Sequence, residues 1–210
     1  MSEESEKQSQ SLAEENQMTL TGDRRKQLKD ALIDAFPTKP KLSQFVTEEL
    51  EENLDAVALG NDLGEIIFKL IQHAKSHGLE AKLIFAARQS NPGNPKLAAF
   101  VRVYETEYWE NIAQQTNFYN LKELDASKAI VQVQAEVVRV IESHPNVNNE
   151  LMSLLQQILA KLNEPATPAA GKVKWAVPII PGIVSYEVEI DTENSLRRAF
   201  QPLKQLFEVK

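Results

Sequence analysis

Glycine and proline divide residues 19–103 into short segments, and this punctuation limits what the region can fold into. Five of the seven glycines lie here, and apolar residues between them recur at intervals of three or four. That spacing predicts short amphipathic helices. Pro37 ends the first helix, and Gly78 suits the left-handed residue that closes the fourth. Asp62, three residues before Glu65, predicts a capping box at the start of that fourth helix. The positions expected to form a common core are Leu28, Leu32, Phe36, Ile67, Leu70 and Leu83.

Residues 104–164 contain no glycine and include two longer apolar segments, 126–143 and 149–163. The second has a strong helical spacing of leucine and isoleucine. The first is ambiguous, because Val131, Val133 and Val137 also alternate as in a strand. Its length and its alanine, glutamine and glutamate content favour a helix. We therefore predict a helical hairpin in this region.

The pattern changes after residue 164. Residues 165–172 are rich in proline and alanine and predict a linker. Residues 173–210 predict a small β-hairpin followed by a helix, since apolar residues first alternate with polar ones and then recur at helical spacing. Asp191 or Thr192 is the expected cap of that helix. Its apolar stripe is Leu196, Phe200, Leu203 and Phe207. The expected fold class is thus mainly α: a helical bundle, a helical hairpin and this small C-terminal module.

Composition excludes several functional classes. The chain has no cysteine, which rules out disulfides, zinc–cysteine sites and thiol nucleophiles. The net charge is −7 and no segment is strongly basic, so nucleic acid is not an expected partner. No apolar run is long enough for a membrane span. Residues 1–18 are polar and acidic and are expected to be a disordered tail without signal-peptide character. The expected location is the cytoplasm.

Motifs for catalysis are absent from the sequence. It contains no phosphate-binding glycine loop, no dinucleotide fingerprint and no nucleophile elbow. His73 and His77 lie four residues apart, the spacing of two metal ligands on one helix face, but a third ligand would be needed and no motif such as His-Glu-x-x-His occurs. We predict no catalytic residue, no cofactor and no metal, and therefore a protein that is not an enzyme.

Two clusters of opposite charge stand out in residues 19–103. A basic cluster lies near the start of the first predicted helix, and an acidic block without any basic residue begins at residue 48. Such clusters are commonly solvated surface, but complementary faces also steer one protein onto another. The residues predicted to bind a partner in this way are Arg24, Arg25, Lys29, Glu48, Glu49 and Glu52.

Several motifs in this region, in the same order, resemble the type-one effector-associated domain. They are LTG at 20–22, KQLKDALIDAFP at 26–37, ENL at 52–54, GNDL at 60–63, IQHAKSHG at 71–78 and NPGNPKL at 91–97. A weaker resemblance links the C-terminal segment to a tail module of cyanobacterial proteins. Those proteins belong to the same conflict and immunity systems as the effector-associated domain. It rests on KW at 174–175, PIIP at 178–181, SYEVE at 185–189 and DTE at 191–193.

The first resemblance implies a six-helix, death-like adaptor domain at about residues 19–103, from the conflict, immunity or cell-death systems of bacteria such as cyanobacteria. The implied partner is a like helical domain on an effector or on a nucleotide-hydrolysing sensor, and self-association is a further possibility. The family has no catalytic residue, so the resemblance implies none in this chain. Two alternatives stay open: a structural oligomerisation protein built on the 126–163 hairpin, and an unrecognised hydrolase.

Overall fold

The computed structural model describes residues 20–145 and 147–208. These residues are mainly helical and contain no strand, so the expected fold class is confirmed at that level. The chain divides after Val103 into two compact units. The predicted disordered tail at residues 1–18 lies outside the described residues.

The N-terminal unit is built from short helices that are separated by tight turns. They are α1 (Gly22–Ala35), α2 (Lys39–Phe45), α3 (Leu54–Val57), α4 (Leu63–Ser76), α5 (Glu80–Ser90) and the first part of α6 (Pro95–Gln115). One turn of π-helix, Val46–Leu50, follows α2. Helix α4 packs on α1, α3 and α5, and so lies at the centre of the unit.

The predicted ends of α4 are confirmed. The Asp62 side chain accepts a hydrogen bond from the Glu65 N–H at 2.9 Å, which fixes where the helix begins. The Glu65 carboxylate turns back to the N–H of Asn61, one residue earlier than a standard capping box requires. At the other end Gly78 has a φ of +68°, the left-handed conformation that the sequence predicted.

The predicted core of this unit is also confirmed. All six positions, Leu28, Leu32, Phe36, Ile67, Leu70 and Leu83, are buried. They lie on α1, α4 and α5 or directly after α1, and these three helices pack on one another. Phe36 stacks on Phe45 with ring centroids 4.4 Å apart, which joins the end of α1 to α2.

In the described part of the C-terminal unit, the rest of α6 is followed by five further α-helices. They are α7 (Glu123–Ser143), α8 (Asn149–Leu162), α9 (Ala169–Ala176), α10 (Ile180–Val184) and α11 (Ile190–Phe207). Short 3-10 turns cover Thr116–Phe118 and Val177–Ile179. Helix α7 packs on α8, α9 and α11, and their inward faces form one apolar core. The ambiguous segment 126–143 lies within α7 and is helical throughout.

The β-hairpin predicted within residues 173–210 is wrong. Residues 173–184 form the end of α9, a 3-10 turn and α10, and the alternation that suggested a strand does not match the buried positions. Those positions are Val173, Ala176, Val177, Ile180, Ile183 and Val184, which follow helical spacing. Trp175, expected to share a face with Val173 and Val177, is half exposed. Pro178 and Pro181 each occupy the first turn of a helical segment, where proline is tolerated.

The final helix is present, and its predicted stripe, Leu196, Phe200, Leu203 and Phe207, is buried. Its predicted cap is wrong, because the helix begins at Ile190, with Glu189 as the capping residue. Thr192 instead lies inside the first turn, with its Oγ1 3.2 Å from Nδ1 of His144. Within the described ranges, no helix combines the length and the apolar character needed to cross a membrane.

Candidate interaction surface

The three basic residues of the predicted surface lie in the first half of α1. The helix begins after Thr21, whose Oγ1 accepts a hydrogen bond from the Arg24 N–H at 3.3 Å. The Arg24 guanidinium donates to Oε1 of Gln27 at 2.7 Å. Arg24, Arg25 and Lys29 are all partly exposed. Their charges are therefore available at the surface, while the stems of the side chains cover part of the unit.

Two of these residues also interact with neighbouring helices of the same unit. The position that a Cβ would occupy at Gly64 lies 3.3 Å from Nζ of Lys29, so the Lys29 ammonium rests on the first turn of α4. Burial raises the pKa of the Glu80 carboxyl, and the positive charges of Lys75 and Arg25 oppose that shift. Arg25 thus acts electrostatically on the start of α5. Part of the basic cluster thus interacts with α4 and α5 of the same unit.

The acidic residues lie on the π-turn and just after it. Glu48 and Glu49 are exposed on the turn, and Gln44 donates to Oε1 of Glu48 at 2.9 Å. Glu51 ends the turn in the left-handed region, with φ 59° and ψ 31°. The chain continues from this residue to α3. The π-turn packs on α2 and α5.

Glu52 differs from the other acidic residues because it contacts a histidine. Its Oε1 lies 3.4 Å from Nε2 of His73, and the His73 ring stacks on the ring of His77 at 4.0 Å. Nδ1 of His77 lies 2.9 Å from the carbonyl oxygen of His73, so this nitrogen donates to the backbone. The nitrogen atoms of two rings stacked in this way do not point towards a shared metal position. In the part of the chain that the structure describes, no group of three or more acidic, cysteine or histidine residues is arranged to hold a metal ion.

The structure places the two charge clusters on different elements, with the basic residues on α1 and the acidic ones on the π-turn. Arg25 and Lys29 share a side of α1, since they lie one helical turn apart. Glu48 and Glu49 are neighbours on the turn. Asp55, in the same acidic block, is paired with Lys39 at 2.7 Å. The exposed negative charge of the acidic block is thus carried by Glu48 and Glu49 on the π-turn and by Glu51 directly after it.

Sequence reasoning missed an open groove of about 600 Å³ between α1 and α6. Apolar and charged side chains share its lining, which comprises Gln27, Asp30, Ile33, Asp34, Lys96, Ala99, Phe100 and Val103. Hydrogen bonds from Lys96 and Asn94 hold the pKa of the Asp34 carboxyl below its usual range. The sequence signal that could have indicated this groove was Ile33, an apolar residue that lies beside Leu32 but outside the buried stripe of α1.

Comparison with known proteins identifies only the N-terminal part of the chain. The family model of effector-associated domain 1 matches residues 18–105. This range contains the whole basic cluster, the π-turn and the groove. No curated protein and no solved structure matches the chain.

Proposed function

Residues 18–105 belong to the effector-associated domain 1 family, and from this premise we propose that the protein is a non-enzymatic adaptor. Its N-terminal domain binds a like helical domain carried by an effector or by a nucleotide-hydrolysing sensor. The adaptor couples the two in a bacterial conflict, immunity or regulated cell-death system, of the kind found in cyanobacteria, and acts in the cytoplasm. The run of short helices around α4 supports a death-like six-helix bundle as the binding domain.

The observation that carries the proposal is the segregation of charge within this domain. Exposed acidic side chains project from the π-turn at Glu48 and Glu49, whereas Arg24 and Arg25 lie on α1. When like domains meet head to tail, the acidic turn of one can face the basic helix of the next. Such a contact joins two different surfaces and needs no pre-existing pocket.

The strength of such a contact comes from several weak interactions that act together. An exposed ion pair contributes about 0.2–1 kcal/mol, so no single residue holds the complex. Several pairs raise the association rate and fix the orientation of the partners. Their effect decreases as added salt shortens the screening length below about 8 Å.

A charge-reversal cycle tests this proposal. The partner is a like effector-associated domain from an open reading frame beside this gene, fused to a protease or an NTPase. We expect Arg25→Glu to weaken binding of the full chain to that domain. Reversal of the glutamate on the partner's π-turn that corresponds to Glu49 should partly restore it. Affinities measured at low and high salt should differ more for the native pair than for either single variant.

Lys82→Glu provides the matched control, because it makes the same charge change at an exposed site on α5, outside both clusters. It should leave binding unchanged apart from a small general effect of net charge. Circular dichroism of each variant establishes that the fold is intact. Binding that responds to neither charge reversal nor salt would refute the charged interface and direct attention to the groove between α1 and α6.

A further inference from the structure

Helix α7 has two apolar faces, although a surface helix normally has one. The inner face lies in the core of the C-terminal unit, through Ala126, Ala129, Ile130, Val133, Val137 and Val140. The outer face contains Leu124, Val131 and Val138, whose side chains are 67%, 66% and 41% exposed. Ala135 is exposed between them. We name Leu124, Val131, Ala135 and Val138 the outer stripe.

The spacing of the outer stripe places its residues on one side of the helix. Residues seven apart on an α-helix point within about 20° of the same direction. Val133 and Val140 are rotated by about 160–180° from Val131, so the stripe faces directly away from the core. It extends along about 21 Å of helix. Exposed apolar residues aligned on one side of a helix, whose other face is already buried, make that side a candidate interaction surface.

The charges beside the stripe indicate what covers it. Asp125 lies near one end of the helix, on the side of the stripe that also carries Lys128, and Arg139 lies near the other end on that same side. Arg139 is 66% exposed and pairs with Glu136, one turn before it on the same helix. A second α7 that runs antiparallel across the first brings Asp125 of each copy opposite Arg139 of the other.

The apolar and the charged contacts give two registers that lie close together. Pairing Leu124 with Val138 of the second copy centres the two helices on Val131, whereas pairing Asp125 with Arg139 centres them on residue 132. The two centres differ by one residue, which in an antiparallel pair shifts one helix along the other by two residues, about 3 Å. The long Arg139 side chain can span this offset. A parallel copy would place this charged side against Ser127 and Gln134 of the other helix. The Asp125–Arg139 pairs would then not form.

We propose that the outer stripe binds the same stripe of a second copy of this chain, in antiparallel orientation, and makes the protein a two-fold symmetric dimer. The contact is self-complementary, as a two-fold interface requires. It is also small, so we expect association at about 10–100 μM rather than an obligate dimer. It gives the adaptor two copies of its N-terminal domain, and two linked domains bind a multivalent partner with higher overall affinity than one.

The first experiment measures the mass of the full chain by sedimentation equilibrium as its concentration rises. Val131→Glu places two carboxylates at the two-fold axis and should weaken dimerisation at least ten-fold. Gln156→Glu makes the same charge change at an exposed site on α8 and should leave dimerisation unchanged. Because both sites are exposed, thermal melts of both variants should match that of the native chain.

Cysteine crosslinking tests the orientation, since the chain has no cysteine of its own. A mixture of Leu124→Cys and Val138→Cys chains should form disulfide-linked heterodimers on mild oxidation. Each variant alone should crosslink poorly, because its two cysteines would lie at opposite ends of the interface. Efficient crosslinking of each variant with itself would overturn the antiparallel arrangement.

Two outcomes of the sedimentation experiment overturn the dimer itself. One is a native chain that stays monomeric up to roughly 300 μM, well above the range expected for so small an interface. The stripe would then be covered by a different protein. The other is a dimer that Val131→Glu does not affect, which would place the contact elsewhere on the chain.

Discussion

Glu51 holds a backbone conformation that residues with a Cβ rarely adopt. Its φ of 59° is the only positive value at a non-glycine residue within the described ranges. The left-handed conformation costs such a residue about 1–2 kcal/mol, because the Cβ approaches the carbonyl oxygen. The Glu51 N–H donates to the carbonyl of Val46, so this conformation closes the π-turn that presents Glu48 and Glu49.

We expect Glu51→Gly to increase the free energy of unfolding by about 0.5–1 kcal/mol, since glycine removes the steric cost but adds freedom to the unfolded chain. Urea denaturation measures the change. Glu51→Gln is the control, because it removes the same charge and keeps the Cβ. If the glutamine variant gains as much as the glycine variant, the gain comes from reduced repulsion among the acidic residues and not from the backbone.

At the scale of the elements, the most consequential polar contact joins α6 to α11 inside the C-terminal unit. Arg197 on α11 donates from Nε to Oε1 of Glu105 at 2.7 Å and from Nη2 to Oε1 of Glu193 at 2.9 Å. The side chains of Glu105 and Glu193 are only 12% and 8% exposed. Burial raises the pKa of the Glu105 carboxyl, although Arg197 opposes the shift. One cation thus neutralises two carboxylates that have largely lost their contact with water.

We expect Arg197→Met to decrease the free energy of unfolding by about 3–5 kcal/mol at neutral pH, because it removes the cation that neutralises two buried carboxylates. Without the cation, the pKa of Glu105 in the folded state rises further above its unfolded value. The folded state then binds more protons than the unfolded state between these two pKa values, so stability falls as the pH rises through that window. At a pH below the unfolded pKa the loss should be smaller. Urea melts across this pH range measure the trend.

Arg198 provides the control on the same helix. Its side chain is 66% exposed and donates to Glu136 at 3.1 Å. Arg198→Met should change the free energy of unfolding by less than about 1 kcal/mol, as is usual for exposed ion pairs, and without a marked dependence on pH. If both variants lose the same amount at every pH, the buried position of Arg197 has no special electrostatic role.

The helices also show which features of the fold could be predicted from the sequence and which could not. The ends of α4 and the core at Leu28, Leu32 and Leu70 follow from local signals, namely a cap, a glycine and helical spacing. The contact between Glu105 and Arg197 joins residues 92 positions apart, and no local pattern indicates it. At residues 173–184 two local patterns competed. The helical one corresponds to the buried positions because this segment packs on α7 and α8, which the sequence alone could not place.

At the scale of the whole chain, residues 163–168 form an exposed connection between two helices of the C-terminal unit. This segment joins α8 to α9, and most of its side chains are exposed. The expected linker was longer, 165–172, but α9 begins at Ala169, whose side chain is buried. The carboxylate of Glu123, at the start of α7, accepts hydrogen bonds from the N–H groups of Ala169 and Ala170, the latter at 3.1 Å. Backbone held in this way should resist proteases.

We therefore expect limited elastase digestion to cut after Ala166 and to spare Ala169 and Ala170, because proteases cleave exposed and weakly packed backbone first. The two fragments should stay together, since α9 and α11 on one share a single apolar core with α7 and α8 on the other. Size-exclusion chromatography should show one peak under native conditions and two in concentrated urea, with mass spectrometry identifying the cut. A first cut inside α7, or fragments that separate at once without denaturant, would mean that this core does not hold the C-terminal unit together.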